Sequence, residues 1–219
     1  VTRLAPVATI PAPAAPAAPA PTVANVLTTL AAPTGEARVQ IALLLDTSSS
    51  MSGLIDQAKS QLWKVVNEFS AMHRADGTRP RLEIALYEYG KSSLPASGGW
   101  IRQILPLTTD LDRVSEELFA LDTNGGDEYC GQVIQQAARE LEWSSKPEDL
   151  KFIFIAGNES FEQGPVQPRD AIGYARERGI TVNTIHCGGV DETWKEGARL
   201  AGGRFLTIDI HDHETSEVR

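Results

Sequence analysis

Positive charge is scarce in this chain of 219 residues, where 29 acidic residues stand against 20 Lys and Arg and give a net charge of −9. A protein that binds nucleic acid or an anionic membrane surface needs a surplus of Lys and Arg to neutralise phosphates. The composition therefore argues against both kinds of partner. It suits a domain that attracts cations, although a merely soluble acidic surface would carry the same charge.

Long apolar runs and cysteines are also few. The longest strongly apolar run, residues 41–45, is far shorter than the roughly 20 residues of a membrane-spanning helix. The two cysteines, Cys130 and Cys187, allow one disulfide bond but do not require it. A bridge and a pair of buried free thiols are equally compatible with the sequence.

Proline and alanine dominate residues 6–21, which contrast with the rest of the chain. Proline removes backbone N–H donors and extends the residue before it, so this stretch cannot build a core. We expect residues 1–36 to form a disordered, polyproline-like linker or stalk, and residues 211–219 to form a polar tail. A stalk that holds a folded domain away from a membrane or cell wall, and a linker inside a larger protein, suit this composition equally.

After the Pro/Ala-rich stretch, short apolar runs alternate with amphipathic helical patterns. Residues 39–45 are nearly all apolar, as in a strand buried on both faces, and residues 54–69 carry an apolar stripe at helical spacing. This alternation predicts an α/β domain over residues 37–210, with a doubly wound, mostly parallel, six-stranded sheet and helices on both faces. The polar alternation of residues 101–107 predicts one antiparallel edge strand.

One loop carries most of the chemistry that the sequence suggests. The first predicted strand ends in Asp46-Thr47-Ser48-Ser49-Ser50, on a turn into the first helix. A carboxylate and two hydroxyls at alternate positions form a compact set of hard oxygen donors, which suit Mg²⁺, Mn²⁺ or Ca²⁺ better than Zn²⁺. Because ligands bind outside the carboxyl ends of parallel strands, Asp46, Ser48 and Ser50 are predicted metal ligands. A serine-rich turn in which Asp46 or a serine merely caps the helix is the simpler alternative.

The motif Asp46-x-Ser48-x-Ser50 after a Leu-rich strand resembles the metal-ion-dependent adhesion site of von Willebrand factor A (VWA) domains. The order of elements over residues 39–208 is similar to theirs as well. The resemblance implies that the metal leaves one coordination position open, which a protein ligand fills with a Glu or Asp side chain. It thus implies a binding module without enzymatic activity, with Mg²⁺, or else Mn²⁺ or Ca²⁺, as its cofactor.

The loops that would complete such a site depart from the family pattern. The family usually has Gly-Gly-Thr, whereas Asp127 follows Gly-Gly here, and we expect Asp127 to approach the metal directly or through water. The family then usually has Thr-Asp-Gly, whereas Asn158 and Glu159 follow Ala-Gly here. Asn158, or Glu159 one residue on, would supply an oxygen; we place Asn158 among the ligands, and Glu128 and Glu159 as groups that support them. The loss of one carboxylate predicts a weak or altered site, with a metal-free relic as the alternative.

Enzymatic chemistry has little support in the sequence. It contains no G-x-S-x-G nucleophile elbow and no Walker A loop, and no G-x-G-x-x-G follows the first strand. We therefore predict a non-enzymatic domain. Two other interpretations stay open, an intracellular accessory or scaffold subunit of an AAA+ ATPase assembly and, less favoured, a metal-dependent hydrolase that uses Asp46 and Asp127.

Export from the cytoplasm is expected on two grounds. The Pro/Ala-rich stretch suits a stalk, and a bridge between Cys130 and Cys187, both at the carboxyl-end side of the predicted sheet, would brace the loops of the site. We therefore expect a periplasmic or cell-surface protein whose targeting signal is not in this chain, with a cytoplasmic location as the alternative.

Overall fold

A computed structural model describes residues 37–208, so the predicted linker at residues 1–36 and the predicted tail at residues 211–219 lie outside the described residues. Strands and helices alternate along the described chain, with two short 3-10 turns at Ser49–Met51 and Ala96–Gly98. In chain order the elements are β1 (Arg38–Asp46), α1 (Ile55–Ser70), β2 (Arg81–Tyr89), β3 (Ile101–Thr108), α2 (Leu111–Phe119), α3 (Cys130–Glu140), β4 (Leu150–Gly157), α4 (Pro168–Glu177), β5 (Ile180–Cys187), α5 (Glu192–Ala201) and β6 (Phe205–Ile208).

The six strands form one sheet in the order β3-β2-β1-β4-β5-β6. Neighbouring strands are parallel except β2 and β3, which pair antiparallel, so β3 is an antiparallel edge strand. The predicted doubly wound, mostly parallel sheet is therefore confirmed. The chain winds outward from β1 in one direction through β2 and β3, and in the other through β4 to β6. The switch point between β1 and β4 is where such folds bind ligands.

Helices cover both faces of the sheet. On one face, the ring of Phe69 in α1 lies 5.3 Å from the ring of Phe152 and 6.3 Å from that of Phe154, both in β4. On the other face, α3, α4 and α5 bury apolar side chains such as Ile172 and Trp194 against the sheet. Residues 41–45 of β1 are completely buried between these layers, as the continuous apolar run predicts.

Local sequence sets several helix ends. Asp110 accepts a hydrogen bond of 3.0 Å from the backbone N–H of Arg113 and so caps α2. Asp191 caps α5 in the same way, and Gly202, with a φ of 66°, ends that helix in the left-handed region. Within residues 37–208 no helix is both long enough and apolar enough to cross a lipid bilayer.

The two cysteines are free and buried, so of the two arrangements that the sequence leaves open the structure has the pair of buried thiols and not a bridge between Cys130 and Cys187. Cys130 begins α3 with its Sγ 3.7 Å from the hydroxyl of Tyr89. Cys187 ends β5 with its Sγ 4.0 Å from the carbonyl oxygen of Ile185 in its own strand. Each thiol therefore packs against a separate partner, and one of the two grounds for expecting export is lost.

Candidate metal centre

Three loops meet at the carboxyl-end edge of the sheet, beside the switch point. The first loop (residues 47–54) follows β1, the second loop (residues 120–129) precedes α3, and the third loop (residues 158–167) follows β4. The backbone N–H of Thr47 donates to the carbonyl of Tyr89 at 2.8 Å, and the N–H of Asn124 donates to the carbonyl of Thr47 at 2.9 Å. The first loop is thus held between the end of β2 and the second loop.

Asp46, the last residue of β1, is completely buried. Its Oδ1 accepts a hydrogen bond of 2.8 Å from the backbone N–H of Ser48, whereas its Oδ2 has no hydrogen-bond partner among the described residues. Burial raises the pKa of Asp46 to about 7 and outweighs the hydrogen bonding of Ser48 and of the Asn158 backbone amide, which lowers it. A buried carboxylate with an unpaired oxygen is a group that a cation would stabilise.

Ser48, Ser50 and Asn158 form a hydrogen-bonded chain next to Asp46. The hydroxyls of Ser48 and Ser50 share a hydrogen bond of 2.9 Å, and the Ser50 hydroxyl donates to Asn158 Oδ1 at 2.9 Å. Asn158 Nδ2 donates back to the Ser50 carbonyl at 3.2 Å. The structure thus brings together four of the five residues that the sequence suggests as ligands, from loops at the ends of neighbouring strands.

The second loop contributes Glu128 to this cluster, while Asp127 is exposed. Glu128 is only 8% exposed. A Cβ built on Gly90 would lie 2.9 Å from Asp46 Oδ1, 3.0 Å from Glu128 Cγ and 3.3 Å from Ser48 Cβ, so these three side chains surround one point. Burial raises the pKa of Glu128, against the opposing effect of the nearby Ser48 hydroxyl. The sequence predicts Glu128 only as a supporting group, because the family pattern places the residue directly after Gly-Gly at the metal.

The third loop is anchored by two aromatic residues from β5 and α5. Trp194 Nε1 donates to the Glu159 carbonyl at 2.7 Å, and His186 Nε2 lies 3.2 Å from the Asn158 carbonyl. The two rings are 5.5 Å apart. Glu159 is therefore held by its backbone, and its partly buried carboxylate adds to the raised pKa of Glu128. No sequence motif signals these anchors, because they depend on how β5 and α5 pack beside β4.

Two glycines allow the loops to approach Asp46 closely. Gly90 has a φ of 82°, and any Cβ there would meet Asp46 Oδ1. A Cβ on Gly157 would lie 2.6 Å from the Tyr89 hydroxyl and 3.1 Å from Asp46 Oδ2. Tyr89 is completely buried below the site, where its hydroxyl donates to the Ala156 carbonyl at 3.1 Å. A side chain at either glycine would displace the carboxylate of Asp46 or its neighbours.

The oxygen donors of this cluster fit a hard divalent cation. They comprise two carboxylates, from Asp46 and Glu128, the hydroxyls of Ser48 and Ser50, and the amide oxygen of Asn158. Such all-oxygen sets suit Mg²⁺, Mn²⁺ or Ca²⁺. Between residues 37 and 208, no group of three or more His, Cys, Asp or Glu side chains is arranged to hold a metal ion. The fit therefore depends on the hydroxyl and amide oxygens as much as on the carboxylates.

Comparison with known proteins gives a family match. Residues 40–199 match the family model of the von Willebrand factor type A domain. Among curated proteins, no sequence matches with statistical significance.

Solved structures with a similar fold share little sequence with this chain. A conserved hypothetical protein, BatB, from Bacteroides thetaiotaomicron is 15% identical with a TM-score of 0.61, over 80% of this chain and 93% of that protein. Proximal thread matrix protein 1 from the mussel byssus, in a structure with a zinc-occupied MIDAS motif, is 14% identical with a TM-score of 0.58. The match covers 78% of this chain and 42% of that protein. The VWA domain of SpRpn10 is 13% identical with a TM-score of 0.54, and the match covers 79% of this chain and 88% of that domain. At these identities the likeness concerns the fold alone.

Proposed function

The chain belongs to the von Willebrand factor type A domain family, and we propose that it binds a partner protein through a divalent cation held at Asp46, Ser48 and Ser50. VWA domains are commonly non-enzymatic modules for protein interaction. We propose Mg²⁺, with Mn²⁺ or Ca²⁺ as alternatives, because all the donors are hard oxygens.

This proposal rests on the burial and the hydrogen bonding of Asp46. A completely buried carboxylate with one unpaired oxygen lies at the switch point of the sheet, beside two hydroxyls and an amide oxygen. A structural cap would leave both carboxylate oxygens bonded to backbone N–H groups, whereas only Oδ1 of Asp46 is bonded in this way, and a cap would not need the hydroxyl chain to Asn158. The arrangement instead collects oxygens around a carboxylate that lacks a counter-charge.

Each residue of the cluster has a role in the proposed site. Asp46 supplies negative charge, Ser48 and Ser50 supply hydroxyl oxygens, and Asn158 orients Ser50 and offers its own Oδ1. Asp127 lies exposed at the rim, where it can act through water, and Glu159 adds negative charge nearby. When bound, the cation would supply positive charge and a coordination position for an acidic side chain of the partner. The net charge of −9 argues against nucleic acid as that partner.

Calorimetric titration with Mg²⁺, Mn²⁺ and Ca²⁺ tests the proposal. The variant Asp46→Asn keeps the shape of the side chain and removes its charge, so we expect binding to weaken more than about tenfold. Asp112→Asn, which changes an exposed carboxylate in α2, should bind as the wild type does. Equal binding by the wild type and Asp46→Asn, or no binding by the wild type, would overturn the metal site and leave only the fold.

We also propose that the domain works outside the cytoplasm, as part of a periplasmic or cell-surface protein. The support is the Pro/Ala-rich composition of residues 6–21, which suits a stalk. Fractionation of cells that express the protein from its complete gene tests this location. Recovery of the protein only in the cytoplasmic fraction would favour an intracellular scaffold instead.

A further inference from the structure

The side chain of Glu128 lies beside those of Asp46 and Ser48, two of the proposed ligands of the cation. We propose that Glu128 is an internal ligand that fills the cation's open coordination position and must move away before a partner's carboxylate can bind. This inference rests on the metal-dependent recognition proposed above and adds a mode of regulation to it.

The position of Glu128 is the first support. Its Cγ, Asp46 Oδ1 and the Cβ of Ser48 all lie within 3.3 Å of the point that a Cβ on Gly90 would occupy. A glutamate in a loop would normally extend into water, yet Glu128 is 8% exposed. The side chain therefore turns inward, toward the oxygens that would hold the cation.

The lack of a counter-charge is the second support. Ion pairs of the described residues neutralise Glu83, Glu88 and Asp122, but none of them involves Glu128. A largely buried carboxylate without a cationic partner is costly, and a second one nearby adds repulsion. Asp46 Oδ1 and Glu128 Cγ lie 2.9 Å and 3.0 Å from the same point beside Gly90, so the two acidic side chains are close to each other. A divalent cation between them would remove both penalties.

The charge of the site explains why Glu128 would weaken the binding of a partner's carboxylate. A divalent cation held by one carboxylate keeps a net positive charge and attracts an acidic side chain of a partner. With both Asp46 and Glu128 ionised, the cation is neutralised by the chain itself. A partner's carboxylate then has to compete with Glu128 for the same position and gains less electrostatic energy when it binds.

The second loop holds Glu128 in this position through tight backbone packing. A Cβ on Gly126 would lie 2.3 Å from the carbonyl oxygen of Gly90, whereas a Cβ on Gly125 would meet only Ser49 Oγ, at 3.5 Å. The backbone beside Glu128 is thus fixed against the end of β2. Release requires only rotation of the Glu128 side chain about its own torsions.

The test uses Mn²⁺ as the cation and acetate as a minimal carboxylate ligand. Water-proton relaxation reports the number of water molecules on bound Mn²⁺. We expect Glu128→Ala to add one water to the bound ion and to weaken Mn²⁺ binding about tenfold, because a charged ligand is lost. Acetate should then displace water from the bound ion at a concentration at least about tenfold lower than in the wild type.

Two further variants make the result specific. Glu128→Gln keeps the shape and removes the charge, so it should also weaken Mn²⁺ binding, and circular dichroism checks that both variants fold. Glu116→Gln, an exposed change in α2, should leave hydration, Mn²⁺ affinity and the acetate response as in the wild type. Wild-type hydration and an unchanged acetate response in Glu128→Ala would overturn the internal ligand while metal binding stands. A wild-type protein that binds no Mn²⁺ would instead overturn the proposed function and this inference together.

Discussion

The Ser50 hydroxyl donates a hydrogen bond of 2.9 Å to Asn158 Oδ1, across 108 residues of sequence. The contact forms because β1 and β4 are neighbouring parallel strands, so the loops that follow them leave the sheet side by side. The contact joins the first loop, which matches the family motif, to the third loop, which departs from the family pattern. If the proposed site holds a cation, the chemistry at Asn158 would set how strongly it does so.

The variant Asn158→Asp should bind Mg²⁺ about tenfold more tightly than the wild type, because it adds a carboxylate to the donor set. Ser50 can still donate to the new Oδ1, but the bond from Asn158 Nδ2 to the Ser50 carbonyl is lost. We therefore expect the metal-free variant to be less stable by about 1 kcal/mol. Calorimetry and thermal unfolding with and without Mg²⁺ measure both effects, and Asn158→Ala serves as the control that loses affinity. Weaker Mg²⁺ binding by Asn158→Asp would show that this position does not face the cation.

The contribution of Asp46 to the stability of the metal-free protein should fall as the pH rises from about 4 to about 7. Burial raises the pKa of Asp46 from 3.8 to about 7 in the folded protein, so the folded state binds a proton that the unfolded state has already released. Each pKa unit is worth about 1.4 kcal/mol, so ionised Asp46 destabilises the fold by an amount on the order of 4 kcal/mol above this range. Denaturant unfolding at a series of pH values measures the slope, and Asp46→Asn should flatten it.

Saturating Mg²⁺ should restore this lost stability at pH 8, because the cation binds the ionised carboxylate of Asp46. Calorimetry in buffers with different ionisation enthalpies near pH 6 should report release of about one proton per cation. An identical pH slope in the wild type and Asp46→Asn would show that Asp46 is not the titrating group.

A methyl group at Gly90 should damage the site beyond its effect on the backbone. Gly90 and Gly77 have nearly the same φ, 82° and 81°, but a Cβ on Gly77 meets nothing within 4 Å, whereas one on Gly90 meets Asp46 Oδ1 at 2.9 Å. Gly77→Ala should cost about 1 kcal/mol through backbone strain alone. Gly90→Ala should cost about 1–3 kcal/mol more and should abolish Mg²⁺ binding. Denaturant unfolding and calorimetry compare the two, and equal losses of stability with intact binding would contradict the packing described for Gly90.

The cysteines should be unreactive in the folded protein and fully reactive after unfolding. Burial raises the pKa of both thiols, that of Cys187 to about 12, so very little thiolate is present at pH 8. A colorimetric thiol reagent should therefore react with Cys130 and Cys187 only after denaturation, with no reductant added. Fewer than two thiols per unfolded chain would mean that a bridge forms after all.

The amino-acid sequence by itself determines the fold and the first loop of the site. The apolar run at residues 39–45 is long enough for one strand and lacks polar alternation, which indicates burial on both faces. Asp46, Ser48 and Ser50 belong to one short turn, so their proximity follows from local geometry without any knowledge of packing. The family match over residues 40–199 agrees with what these patterns predict.

Only the tertiary structure decides which side chains of the other two loops face Asp46. Asp127 and Glu128 are adjacent, and Glu128 turns inward because Gly126 packs against Gly90, a contact between distant parts of the chain. Cys130 and Cys187 lie near the same edge of the sheet but stay unpaired, because bridging depends on the separation and direction of the side chains. Local sequence patterns set strands, turns and helix ends, whereas the direction of a side chain in a loop depends on long-range packing that no local pattern encodes.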